Sequence, residues 1–106
     1  MTVAMLALPL AATAQGQTAR PILRAARGAA AGVQGTGFKP GERVVVTFYV
    51  LARARETKRV VAGSGGGFVA RFVYEVPACT PWLVRAVGPQ SGRVWYRSLV
   101  RECSPK

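Results

Sequence analysis

The sequence predicts an all-β protein, an antiparallel sandwich of about seven strands. Three observations carry that expectation. From Pro21 onward, short apolar runs alternate with polar positions at a period of two. Clusters of Gly, Pro and Ser at 35–42, 63–67 and 88–92 break these runs at the close intervals that many short strands require. Helical periodicity surfaces only over 25–31, where Gly28 and Gly32 interrupt it.

A first strand is expected over 22–25 and a second over 29–35. Gly35, Gly37, Pro40 and Gly41 then supply turn chemistry: glycine tolerates positive φ and proline presets a corner. Residues 43–52 read as the strongest strand. Val44, Val46, Phe48 and Val50 share one face; Val45, Thr47, Tyr49 and Leu51 share the other. Two fairly apolar faces predict a central position. The polar, charged stretch 53–59 reads as an exposed connection, followed by a short strand at 60–62 and a hairpin-type connection at 63–67. Next, Phe68, Ala70, Phe72, Tyr74 and Val76 alternate with Val69, Arg71, Val73 and Glu75 up to Pro77, and the first set forms the core face. Trp82, Val84 and Ala86 alternate with Leu83, Arg85 and Val87. A turn at 88–92 leads into a last strand at 93–101.

Read together, these elements resemble a known family. Val33 to Val46 follow the pattern V-x-G-x-G-F-x-P-G-E-x-V-x-V, and Gly66 to Pro77 follow G-x-F-x-x-x-F-x-x-x-V-P. An aromatic strand then runs through Trp82, Val84 and Ala86. This order resembles the bacterial immunoglobulin-like (IPT/TIG-like) domains of exported and cell-surface proteins, over nearly the whole chain after the leader. The resemblance implies an immunoglobulin-like sandwich and a spacer, stalk or adhesion role; its motifs are turn and core positions, so it implies no ligand.

The first residues point to export. Thr2 to Ala12 are uncharged and largely apolar, and Ala12, Thr13 and Ala14 form a small-x-small cleavage site before the polar Gln15. A secretory signal peptide is therefore expected over 1–14, a flexible leader over 15–20 and the sandwich over 21–106. No Lys or Arg precedes the apolar run, a departure explained if translation starts upstream of Met1. The run is short of the roughly 20 apolar residues that a bilayer span needs, so no transmembrane segment is expected in the mature chain. Cys79 and Cys103 fit the same compartment as a disulfide. Closing a loop of about 25 residues, such a bond contributes on the order of 3 kcal/mol. The two cysteines lie symmetrically about position 91, so the bridge would staple the open end of the last hairpin.

Chemistry is narrowed by what is missing. With no His and no Asp, nucleophilic triads, His-based zinc sites and EF-hands cannot be assembled. The acidic residues are Glu42, Glu56, Glu75 and Glu102, each among Arg or Lys, where ion pairing is the ordinary explanation. The expectation is a protein with no catalytic site, no metal and no cofactor. Charge is the unusual property: Lys and Arg number 15 against 4 acidic residues, a formal net charge of +11. Either the surface attracts polyanions or an Arg-rich, Lys-poor composition reflects the genome. Two segments are candidate polyanion contacts. Arg53, Arg55, Lys58 and Arg59 form a basic run, otherwise a solvated loop whose charges guard an edge. Arg93, Trp95 and Arg97 share one strand face, where the indole either stacks on sugars or bases or joins the core under arginine stems. The expected function is a non-catalytic exported binding or structural module that contacts anionic cell-envelope material. The alternative is a secreted cationic effector or inhibitor acting on an acidic macromolecule or a protein partner. Export directs the reading away from nucleic acid.

Overall fold

The computed structural model describes residues 20–28 and 31–98. The expected signal peptide, the leader before Arg20, Glu102 and Cys103 lie outside the described residues. Among the described residues there are seven strands and no helix: β1 (Ile22–Ala25), β2 (Gly32–Thr36), β3 (Arg43–Val50), β4 (Arg53–Val61), β5 (Phe68–Arg71), β6 (Trp82–Gly88) and β7 (Gly92–Arg97). It follows that no described helix is long and apolar enough to cross a membrane. The strands form two antiparallel sheets, ordered β1-β2-β5 and β4-β3-β6-β7. At the margins, β1 lies beside β7 and β4 beside β5.

The period-two pattern builds the core. Val44, Val46, Phe48 and Val50 on β3 are fully buried, facing Val33, Phe68, Ala70 and Phe72 from the other sheet's side of the cluster. Burying each such side chain contributes roughly 1.5–3 kcal/mol. Phe48 sits at the centre of an aromatic group, stacked on Phe72 at 4.4 Å between ring centroids and tilted against Trp82 at 5.4 Å. Trp82 in turn meets Tyr96 at 5.5 Å. β3 is central, as its two apolar faces predict.

Several boundaries differ from the sequence reading: β2 is Gly32–Thr36 against an expected 29–35, β3 ends at Val50 against 52, and β7 is Gly92–Arg97 against 93–101, with 29–30 and 99–101 outside the described residues. Two differences change the architecture. Residues 53–59 are not a connection: they belong to β4, a nine-residue strand paired with β3 along its length. The link between them is only Leu51 and Ala52, both at positive φ (55° and 65°). This is the primed hairpin geometry that normally selects Asn-Gly, so the sequence carries no turn signal there. A bulge between Phe48 and Tyr49 absorbs one extra β4 residue. The second difference is β5, which ends at Arg71 and does not run on to Val76. Beyond it, the amides of Val73 and Tyr74 donate to Glu56 Oε1 at 2.9 and 3.1 Å instead of to a strand. The alternation survives: Phe72 is buried, Tyr74 and Val76 pack against the core, and Val73 faces solvent.

The hairpin around 88–92 forms as predicted, with Gly88 opposite Gly92 and Leu83 opposite Arg97. Its open end is closed by Ser98, whose amide donates to the Trp82 carbonyl and whose Oγ accepts from the Trp82 amide, both at 2.9 Å. Cys79 precedes this end and is not a free thiol; its expected partner lies outside the described residues.

At the opposite end, the buried Glu42 carboxylate replaces the surface ion pair expected of it. Oε1 accepts from the Lys39 amide (2.9 Å) and Ser91 Oγ (2.6 Å); Oε2 accepts from the amides of Gln90 and Ser91 (2.7 Å each). Burial opposes ionisation, but these hydrogen bonds outweigh it and hold the carboxyl at about 2 against an ordinary 4.5. Gly88 is what lets it approach, since a Cβ there would collide with the carboxylate.

Two outcomes follow from this architecture. Because the Glu42 pKa is depressed in the folded state, its contribution is complete above about pH 4.5 and is lost as pH falls toward 2. Glu42→Gln should cost about 2 kcal/mol at neutral pH, and thermal melts should show the gap to the parent closing across that acid window; parallel curves would reject the clasp. The double change Leu51→Asn, Ala52→Gly should stabilise by about 1–2 kcal/mol in urea unfolding by relieving positive φ. A lower midpoint would show that the native residues are not strained.

Candidate anionic-ligand surface

One face of the four-stranded sheet packs inward, so the intervening residues face outward. Antiparallel register sets them in cross-strand rows. One row runs Arg59, Val45, Val87 and Arg93; the next runs Thr57, Thr47, Arg85 and Trp95; a third runs Ala54, Tyr49, Leu83 and Arg97. Arg43 extends the face at the start of β3, opposite Val61. The surface therefore carries arginines on its two flanking strands and an aromatic–arginine group at its middle.

That central group is ordered. The Arg85 guanidinium lies over the Tyr49 ring at 5.7 Å and over the Trp95 ring at 5.9 Å, and the two rings stand 6.0 Å apart at 36°. Each such contact contributes about 0.5–2 kcal/mol. Arg85 Nε is buried and has no hydrogen-bond partner among the described residues. Ring faces, not a carboxylate, hold this cation in place. Trp95 is 49% exposed, which settles its position on the outer surface; Trp82 is the indole that joins the core.

Among the described residues, counter-charge is absent from the face. Glu42 is buried in the turn clasp, and Glu56 lies on the inner register of β4, opposite Phe48. Among the described residues the ion pair is Lys58 Nζ to Glu56 Oε2 at 3.8 Å, away from the outer arginines. Arg43, Arg59, Arg93 and Arg97 are exposed and form no ion pair with a carboxylate among the described residues.

The two sequence candidates are redistributed by strand geometry. Arg93, Trp95 and Arg97 share a face, as their spacing predicts, and Arg59 joins them from the far edge. The rest of the basic run does not. Arg53 pairs with Val50 at the hairpin end; Arg55 sits at the bulge, donating to the Val50 carbonyl (3.3 Å) with its guanidinium 5.2 Å from the Tyr74 ring centroid; Lys58 shares the inner register with Val46. Alternation splits the run across two faces. Arg43, Tyr49 and Arg85 are members that sequence reasoning did not select. Their outward alternation was legible, but the pairing of β3 with β6 that places Tyr49 near Arg85 is non-local. Beside the third row, a shallow cavity of about 190 Å³ opens between Tyr49, Leu51, Leu83 and Arg97.

Set against protein-family models, curated proteins and solved structures, the chain matches none of them.

Proposed function

We propose that this chain is a non-catalytic, exported immunoglobulin-like module that binds anionic cell-envelope polymer through the outer face of β4-β3-β6-β7. One observation carries the reading: the arginines of that face stand around an exposed indole with no acidic side chain among them in the described residues. Guanidinium groups with no ion-pair partner on one sheet face create the positive field that draws polyanions. The immunoglobulin-like part is supported by strand order. The orders β1-β2-β5 and β4-β3-β6-β7 are those expected if the strands are A-B-E and C′-C-F-G of such a sandwich. Export is supported by the apolar segment before residue 15 and by a Cys79 that is not free. The absence of a catalytic role is supported by the use of Glu42 and Glu56, whose carboxylates are engaged by backbone amides.

Salt titration tests the proposal. Retention on heparin, anionic wall material and DNA should fall steeply with ionic strength. Arg59→Gln, Arg93→Gln and Arg97→Gln together should weaken binding about tenfold or more, and should lower the salt slope by about 2–3. A control that removes the same charge elsewhere, Arg20→Gln, Arg24→Gln and Arg53→Gln, should change affinity by less than about twofold. Equal losses in both variants would make the attraction diffuse. No retention on any matrix in low salt would reject an anionic partner.

A further inference from the structure

Resting on the reading of this face as anion-binding, we propose that it contains a subsite for a carboxylate-bearing sugar, a uronic-acid residue of a polysaccharide. The pyranose ring stacks on the exposed side of Trp95, and its carboxylate is held by Arg93 or Arg97.

Four observations converge on that chemistry. First, Trp95 is a large aromatic left half exposed on the edge strand β7, although the core nearby accepts Trp82 and Tyr96. Second, its orientation is fixed from one side: Arg85 lies against it, and Tyr49 backs Arg85. A pre-set ring surface lowers the ordering cost of stacking a ligand. Third, Arg93 and Arg97 lie two residues to either side on the same face, each displaced by roughly 6.6–7 Å along the strand. Both are exposed and lack a carboxylate partner among the described residues. A guanidinium fork matches a carboxylate in two parallel hydrogen bonds, which a point charge such as lysine cannot do. Fourth, the face offers a single open ring. Proteins that bind single-stranded nucleic acid stack successive bases on successive aromatics. Here the second ring, Tyr49, is partly buried and has Arg85 against it. One ring between two cations fits a polymer that repeats a charged sugar, and a polyanion without rings would leave Trp95 unused.

Calorimetry on the full chain separates the possibilities, using short oligogalacturonates, their methyl esters and inorganic polyphosphate as probes. Oligogalacturonate should bind, and its methyl ester should bind about tenfold more weakly or worse, because the fork has lost its charge partner. Trp95→Ala should weaken oligogalacturonate about tenfold while polyphosphate changes by less than about twofold, and Trp95→Phe should keep most of the affinity. Arg93→Gln with Arg97→Gln should weaken both ligands. An unchanged melting midpoint in Trp95→Phe guards against a folding artefact in the alanine variant. The subsite is overturned if Trp95→Ala leaves oligogalacturonate untouched, or if it weakens polyphosphate equally. If polyphosphate binds with arginine dependence and oligogalacturonate does not, the subsite alone falls. If neither binds, the anion-binding reading falls with it.

Discussion

Glu42 holds together parts of the chain that are far apart in sequence. Its carboxylate takes four hydrogen bonds, from Lys39 at the entry to β3 and from Gln90 and Ser91 in the β6–β7 turn. Its backbone joins a third element: the Ala62 amide donates to the Glu42 carbonyl at 2.9 Å, just past the end of β4. One residue thus connects three of the four strands of the larger sheet, and β7 enters through the same turn. A buried carboxylate is costly unless its lone pairs are satisfied, and here they are. Hydrogen bonding to the charged form is what makes the burial tolerable. The rows of the outer face depend on this register. A slip of one residue in β6 or β7 would turn Arg85 and Trp95 inward.

Charge separation on the larger sheet follows from the same constraint. A period of two forces neighbouring basic residues of β4 to opposite faces, and the bulge at Phe48/Tyr49 then redirects Arg55 toward Tyr74. On the inner register, Lys58 pairs with Glu56, and Glu56 secures the segment after β5. On the outer register no acid among the described residues answers Arg59, Arg93 or Arg97. The protein therefore neutralises charge where it must pack and leaves it open where it meets solvent. Edge protection alone accounts for charges along β4 and β7. It does not account for Arg85, which lies on an interior strand, or for the half-exposed indole beside it.

Most of the architecture was legible because it rests on local alternation. Val44, Val46, Phe48 and Val50, then Phe68, Ala70 and Phe72, announce their buried face in sequence. Gly37, at a φ of 82° with the Arg20 carbonyl where a side chain would go, announces its turn. What escaped had no local signal. Leu51 and Ala52 form a tight primed turn with residues that disfavour it, so 53–59 read as a connection and only 60–62 as strand. Glu42 looked like a surface charge because Gln90 and Ser91, which bind it, lie 48 and 49 residues further on. The site was half legible for the same reason. Arg93, Trp95 and Arg97 are neighbours on one strand, whereas Tyr49 and Arg85 reach Trp95 only through pairing across β3, β6 and β7.

The unpartnered Arg85 Nε is the feature that packing explains least. Leaving a buried donor unsatisfied costs about 1–3 kcal/mol. A methionine or leucine at this position would cover Thr47 and fill the space between Tyr49 and Trp95 without that cost. The guanidinium does what neither can: it lies against two aromatic faces while keeping positive charge at the middle of the sheet. That charge lies 5.9 Å from the Trp95 ring on which the proposed ligand would sit, in a region where partial burial weakens screening by salt. In the proposed subsite the flanking arginines would supply reach and Arg85 a fixed field. A cation held by rings instead of by a carboxylate keeps its charge available to a partner from outside.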